Sequence, residues 1–282
     1  MIIAAREVNI NNNIKVGGEN PFFLMAGPCV IEGQNHAFLM AAEIKRTCEG
    51  LPISFIFKAS YDKANRSSHN SYRGPGLEKG LDILRQIKEE LNIPVVSDVH
   101  ETGQIEKASQ VLDVIQIPAF LSRQTDLIVE AAKTRKAINI KKGQFLSPYD
   151  MKNVIDKALS QGNEKIILTE RGTSFGYNNL IFDVRSIPIM KKWGFPVVID
   201  ASHSVQKPGG EGHFSGGEAE FIPITAQAGV CVGADGLFLE VHDNPSKALS
   251  DKLNSLSLDR LKPLLASILS LKEWRDRNQG LF

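Results

Sequence analysis

The chain has 282 residues, 42% hydrophobic and 23% charged, with a formal net charge of +1. That size allows a large core in one barrel-sized domain or two ordinary ones, and the near-neutral balance lacks the basic excess favoured by nucleic-acid or membrane-surface partners. Three widely spaced cysteines, Cys29, Cys48 and Cys231, argue against a disulfide framework and for a reducing compartment. The start MIIAAREV meets Arg6 and Glu7 too early for a signal-peptide core, and the longest apolar run, Phe22–Ile31, is too short to span a bilayer. A cytoplasmic protein is expected.

Residues Glu7–Gly18 alternate Val8, Ile10, Ile14 and Val16 around Asn11-Asn12-Asn13, which predicts a hairpin that plugs one end of a repeating α/β unit. From Pro21 onward, β-rich runs take turns with helical periods. The predicted strands are Phe22–Ala26, Ser54–Lys58, Val95–Val99, Val114–Ile117, Ala137–Lys141, Lys165–Glu170, Pro196–Asp200 and Gly236–Val241. Leu77, Leu81, Leu84, Ile87 and Leu91 mark a helix opened by Gly74-Pro75-Gly76. A second helix spans Ser147–Gln161, with Ser147 as cap and Pro148 in its first turn. A last stripe runs from Leu261 to Leu271, with Pro263 in its opening turn.

Eight strand signals alternating with helices, and no Gly-x-Gly-x-x-Gly at the first turn, favour a closed (β/α)8 TIM barrel over an open dinucleotide-binding sheet. No composition break divides it, so residues 1–282 are expected to form a single domain with residues 7–18 as a capping hairpin. The Gly-rich segment Lys207–Gly217 reads as a mobile loop over the site or a long connection.

In such a barrel the residues at the C-terminal strand ends face the site. Here they are strongly polar: Cys29, Lys58, Asp98 with His100, Gln116, Lys141-Lys142, Arg171, Asp200 with His203, and Glu240 with His242. The loop after the second strand, KASYDKANRSSHNSYRGPG, adds Lys63, Arg66 and Arg73. Cations from separate strands at one rim repel unless an anion compensates, which implies phosphate. As a single residue, any one of these positions is more often an ordinary loop side chain.

Barrel closure brings the eighth strand beside the first. Cys29, His203 and Glu240 then form a mixed sulfur, nitrogen and oxygen set suited to a borderline divalent ion such as Zn²⁺ or Fe²⁺. Asp251 is a candidate fourth ligand and Asp243 its nearest rival. Alone, Cys29 reads more often as a small buried apolar residue, as Cys48 and Cys231 do. His36, His69, His213 and His242 read as loop or supporting residues.

The motifs AGPCVIE, KASYDKANRSS, SYRGPG, SDVHE, DVIQIPAFLSRQTDL, NIKKGQF, ERGTSFGYNNL, DASHSVQ and FLEVHDNPSKALSD cover nearly the whole chain. Together they resemble the metal-dependent class of 3-deoxy-D-manno-octulosonate 8-phosphate synthases, also called 2-dehydro-3-deoxyphosphooctonate aldolases. The sister family that makes the seven-carbon acid from erythrose 4-phosphate has a Lys-Pro-Arg-Thr motif where this chain has Lys63-Ala64-Asn65-Arg66-Ser67-Ser68. The resemblance implies a (β/α)8 homotetramer that condenses phosphoenolpyruvate with D-arabinose 5-phosphate and water, releasing phosphate, on the route to the inner-core sugar of lipopolysaccharide. It also implies that Lys58, Lys63, Lys141 and Arg171 hold phosphoenolpyruvate, and Gln116 is a further substrate-binding candidate. Asn65, Arg66 and Ser67 would hold the sugar phosphate, Arg66 reaching in from a neighbouring subunit. Cys29, His203, Glu240 and Asp251 would hold one divalent metal per subunit (Zn, Fe, Mn, Co or Cd). Lys63, His203, Asp251 and Asp98 are the candidate catalytic residues. One departure is Gly216-Gly217-Glu218-Ala219-Glu220, where many relatives carry an arginine. The rival readings are the four-carbon sister synthase, a metal-dependent hydrolase on the same barrel and a non-catalytic phosphosugar-binding regulator; a hydrolase would want histidines in Ala26–Ile31, which has none.

Overall fold

The computed structural model describes residues 5–65, 68–209 and 216–278. Among them the long strands are β1 (Phe22–Gly27), β2 (Ile53–Lys58), β3 (Val95–Asp98), β4 (Val114–Ile117), β5 (Ala137–Lys141), β6 (Ile166–Glu170), β7 (Val197–Asp200) and β8 (Gly236–His242). Each pairs in parallel with the next. The β8 strand pairs with β1 from Gly236↔Phe23 to Glu240↔Gly27, which closes the barrel. Helices α1 (Gln34–Cys48), α2 (Leu77–Leu91), α3 (Thr102–Val111), α4 (Thr125–Lys133), α5 (Met151–Leu159), α6 (Ser186–Lys191), α7 (Ile222–Cys231) and α8 (Leu261–Arg277) follow the strands in turn. This is the (β/α)8 architecture expected from the alternation of periods.

The pleat divides each strand between two apolar clusters. Leu24, Phe57, Ile115, Ile138, Leu168, Ile199 and Leu239 point outward under the helices. Phe23, Ile56, Val96, Val114, Ile167, Val198 and Phe238 point inward. The predicted hairpin is present: Val8 pairs with Val16 and Asn9 with Lys15. Asn11 Oδ1 accepts from the N–H groups of Asn13 and Ile14, both at 2.9 Å, closing the turn. Its Val8, Ile10 and Val16 are buried in the inward cluster, so the hairpin seals the N-terminal end of the barrel.

Several boundaries differ from expectation. Val99, Lys165 and Pro196 lie outside the strands and His242 lies inside β8; Pro196 has no N–H to give a ladder. The stretch predicted as one helix from Ser147 begins with a 3₁₀ turn, Pro148–Asp150, closed by a capping box in which Ser147 Oγ accepts from Tyr149 N–H at 3.2 Å. The ends of the Gly-rich segment pair as a short antiparallel ribbon, Gln206–Lys207 with Gly216–Gly217; its residues 210–215 are outside the described residues.

Candidate functional site

The same pleat that puts Ile56, Val96, Val114 and Val198 inside the barrel puts residues two positions further on at its mouth. Those are Lys58, Asp98, Gln116 and Asp200. On β5 and β6 the inward row runs Ala137, Asn139, Lys141 and Ile167, Thr169, then Arg171 beyond the strand; on β8 it runs Gly236, Phe238, Glu240. The mouth is thus the polar continuation of an apolar interior.

Its charges are paired. Lys58 Nζ donates to Glu240 Oε1 (2.7 Å) and to the Cys29 carbonyl (3.0 Å), and both side chains are buried. Lys141 Nζ donates to Asp200 Oδ2 (2.7 Å) and stands 3.5 Å from the centre of the Phe238 ring. Four cations, Lys58, Lys63, Lys141 and Arg171, therefore share the mouth with Asp98, Asp200, Glu240 and Asp251. The expectation that their repulsion needs an outside anion is corrected on this point: buried carboxylates already offset Lys58 and Lys141.

A hydrogen-bond relay crosses four strands. Thr169 Oγ1 donates to Asn139 Oδ1 (2.6 Å), Asn139 Nδ2 to Gln116 Oε1 (2.7 Å), Gln116 Nε2 to Asp98 Oδ1, and Ser60 Oγ to Asp98 Oδ2 (2.7 Å). Burial alone would raise the Asp98 carboxyl, but Lys63, Lys58 and Lys141 override it and hold it well below the usual carboxylate range. Asp200 is likewise desolvated yet held low by His203 and Lys141.

Arg171 is buried. Its Nη2 donates to Gln206 Oε1 at 3.3 Å, whereas its Nε and Nη1 have no hydrogen-bond partner. With Lys63, Asn65, His203 and Asp251 it lines a cavity of about 290 Å³. An adjoining space of about 40 Å³ shares Lys63, Asn65, Arg171 and His203 and is bounded by Lys58, Asp98, Lys141 and Glu240. A buried guanidinium with two unsatisfied N–H groups, on a residue that borders such a space, is a candidate receptor for a planar or tetrahedral anion.

At the β8–β1 seam, Cys29 Sγ lies 2.8 Å from Asp251 Oδ2 and 3.0 Å from Ser250 Oγ. Donor atoms of Cys29, Glu240 and Asp251 lie within 4.8 Å of one another. His203 Nε2 is 3.5 Å from both Glu240 Oε1 and Asp251 Oδ2, while its Nδ1 faces Asp200 Oδ2 at 2.8 Å. Gly27, two residues before Cys29, lets β1 lie close against the end of β2, because a Cβ there would fall 2.0 Å from the Lys58 carbonyl oxygen. Asp251 is held in the left-handed region at φ 50°, an uncommon conformation for a residue with a side chain. Burial and the neighbouring Asp251 push the Cys29 thiol up to about 12, against the pull of Lys63. Thiol, imidazole and two carboxylates, with Glu240 Oε2 buried and without a hydrogen-bond partner, are a donor set that fits a borderline divalent cation.

Not every expected residue belongs to the mouth. Arg73 turns out to solvent on Asp62, with Nε–Oδ1 2.8 Å and Nη2–Oδ2 2.5 Å. Lys142, one pleat out of phase with Lys141, points away from the interior. It lies 3.6 Å from Glu170 and donates to Thr173 Oγ1 at 3.0 Å. Arg66, Ser67 and His213 lie outside the described residues. Conversely, Ser60, Asn139, Thr169, Gln206 and Ser250 were not among the sequence candidates. The inward parity shared with Lys141 and Arg171 marks Asn139 and Thr169; nothing local marks Gln206 or Ser250.

Fold and site together define a (β/α)8 barrel with buried lysines, an arginine and carboxylates gathered at its C-terminal mouth. The chain belongs to the DAHP synthetase I family, whose model matches residues 5–275. It is 54% identical over 266 residues to 2-dehydro-3-deoxyphosphooctonate aldolase of Geobacter sulfurreducens, covering 94% of this chain and 97% of that one. The protein of the same name from Geotalea uraniireducens is 56% identical with the same coverage. That from Desulfosudis oleivorans is 57% identical over 270 residues, 95% and 97% of the two chains. These relatives carry the name of the family that the motifs resemble.

Proposed function

We propose that the protein condenses phosphoenolpyruvate with D-arabinose 5-phosphate and water to 3-deoxy-D-manno-octulosonate 8-phosphate and inorganic phosphate, for lipopolysaccharide inner-core sugar synthesis. The observation that carries the reading is the meeting of Lys58, Lys63, Lys141 and Arg171 on one confined space, with Arg171 keeping two buried N–H groups unsatisfied, in a chain so similar to the named aldolases.

The reaction brings together two phosphate-bearing molecules that repel one another, so positioning dominates its barrier. Arg171 and Lys63 supply charge for phosphoenolpyruvate, and Asn65, on the β2 loop, lies where the sugar phosphate would enter. The enol phosphate C3 attacks the sugar aldehyde carbon, forming the C–C bond while the aldehyde oxygen takes up a proton. Positive character at C2 is quenched by water. The resulting tetrahedral centre expels phosphate by C–O cleavage to leave the keto acid. Lysines held in ion pairs, like Lys58 and Lys141, suit this chemistry, which needs no Schiff base. Asp98, kept ionised by the surrounding ammonium groups, would act as a fixed negative charge beside the reacting groups, and His203, whose Nδ1 faces Asp200, would turn its Nε2 to the metal set.

Cys29, His203, Glu240 and Asp251 are the residues that would hold one divalent metal per subunit. A cation there supplies Lewis acidity, towards the water or the aldehyde. We also read the protein as cytoplasmic, supported by three free cysteines among the described residues and no helix there long and apolar enough to cross a membrane. The exposed Phe145, Tyr149, Phe175 and Tyr177 support the homotetramer implied by the family.

Phosphate release measured with phosphoenolpyruvate and either arabinose 5-phosphate or erythrose 4-phosphate tests the reaction; preference for the four-carbon aldose overturns it. Chelation of the purified protein is expected to abolish turnover, and full activity in metal-free protein would reject the ligand set.

A further inference from the structure

At the C-terminal rim of the barrel, but not among the residues that line the two adjoining cavities, three residues left without a role by the reaction converge. Glu32 lies in the loop after β1, His36 in the first turn of α1, and His242 ends β8. Each offers one donor atom, and the three atoms lie within 4.8 Å of one another. The two imidazole rings are 4.7 Å apart between centroids and tilted by 36°.

Asp243 accounts for how the rings are turned. Its Oδ1 is 3.0 Å from His36 Nε2 and 2.9 Å from His242 Nδ1. The oxygen that accepts from His36 Nε2 selects the tautomer with the proton there and leaves a lone pair on His36 Nδ1. His36 Nδ1 and His242 Nε2 are the two ring atoms that are buried and have no hydrogen-bond partner. Glu32 Oε1 stands 3.3 Å from His242 Nε2. The Asn244 N–H donates to His242 Nδ1 at 2.9 Å, which puts the ring proton on Nε2; a cation at Nε2 would move that proton to Nδ1, where Asp243 Oδ1 at 2.9 Å can accept it while the Asn244 N–H turns to the same carboxylate. His242 itself is only 4% exposed. An unsatisfied imidazole nitrogen that deep, with its far side backed by a carboxylate, is the arrangement found behind metal-bound histidines.

We propose that Glu32, His36 and His242 form a second divalent-cation site, separate from the Cys29 set, with Asp243 as the carboxylate behind both histidines. Two imidazoles and one carboxylate, without a thiolate, select borderline ions such as Zn²⁺, Co²⁺ or Ni²⁺ over Mg²⁺ or Ca²⁺. The side chain of His36 is 22% exposed, which gives a cation a way in. Its effect is a clamp. Glu32 Oε1 accepts from Leu249 N–H at 2.7 Å, two residues before Asp251, and Glu32 itself follows Cys29 by three. Occupancy therefore joins the chain segments that carry Cys29 and Asp251.

The test is zinc content per chain after dialysis of the purified protein against Zn²⁺ and removal of unbound ion, for wild type, His36→Ala and Cys29→Asn. We expect His36→Ala to hold one zinc fewer than wild type, and Cys29→Asn to retain the zinc that His36→Ala loses. Substituting Co²⁺, the difference spectrum between wild type and His36→Ala should show d–d bands without a thiolate-to-cobalt charge-transfer band. Equal zinc content in wild type and His36→Ala overturns the proposal, as does a thiolate band in that difference spectrum. Should His36→Ala fold poorly, His36→Gln, which keeps the bulk, carries the same two outcomes. Loss of zinc from Cys29→Asn alone would bear on the metal reading of the Cys29 set and leave this site standing.

Discussion

The two ends of the barrel are built from the same strands and obey opposite rules. At the N-terminal end, the inward row of Phe23, Ile56, Val96 and Val198 meets Val8, Ile10 and Val16 of the hairpin, all buried and apolar. One pleat repeat further along, the inward row is Lys58, Asp98, Lys141, Asp200 and Glu240, equally buried. Burying apolar groups stabilises without direction, whereas burying ions costs several kcal/mol each unless partners are placed well. Phe238 marks the border, its ring packed in the lower cluster and Lys141 Nζ 3.5 Å above it. The closed end can thus carry the stability that the open end spends on a pre-arranged set of charges.

The sharpest way to break that contrast is to remove one half of a buried pair. Lys58→Met should leave Glu240 with an uncompensated charge and cost about 3–5 kcal/mol in denaturant unfolding of metal-stripped protein; the double variant with Glu240→Leu should recover much of it. An unchanged midpoint in the single variant would mean that the pair is not desolvated as the structure has it. Lys63→Ala tests the other side, function without stability. It should lower kcat/KM by roughly 10²–10³-fold, as expected for losing one preorganised charge on the reacting group, with a cooperative unfolding transition retained. Undiminished turnover would make the β2 loop a solvated surface.

The strands were legible because each is a short β-rich run bounded by turn residues, and their polar ends pointed to the mouth. Lys58, Lys141 and Glu240 could be read from those ends alone. Their pairing could not, since Lys58–Glu240 depends on closure between residues 182 positions apart. Reading strand ends without the pleat also credits neighbours that face the other way: Lys142 sits next to Lys141 in sequence and points out of the barrel. Arg73 shares a basic loop with Lys63, yet Asp62 claims it. Asp251, beside Cys29, stands in a left-handed conformation that no local pattern announces; the residues alone offered it as a candidate fourth ligand with Asp243 as rival, and the family's motif favoured it.

A subtler probe of the mouth is Asp98→Asn. At neutral pH it should cost about 1.5–3 kcal/mol, the scale of hydrogen bonds to a charged group. The Asp98 carboxyl is held below its unfolded value by Lys63, Lys58 and Lys141. Its stabilisation is therefore complete above the unfolded carboxylate range, near pH ~4, and is lost as pH falls further towards the folded value. The gap between wild type and variant in an unfolding series should be flat from pH 7 to about 5 and shrink below about 4. A gap that instead widens in acid would mean that the group is protonated in the folded protein.

The smallest effect belongs to the closed end. Val16→Ala removes two methyl-sized groups from a side chain that is fully buried against the inward cluster, at about 1–2 kcal/mol by area and cavity together. Because Val16 belongs to the hairpin, while the mouth lysines Lys58 and Lys141 stand over the Phe238 ring, kcat/KM with both substrates should stay within about twofold of wild type, since distant independent sites act additively. Loss of activity in excess of the stability change would show that packing at the hairpin sets the position of Lys58 and Lys141 through the Phe238 ring, and the two ends would then be one mechanical unit.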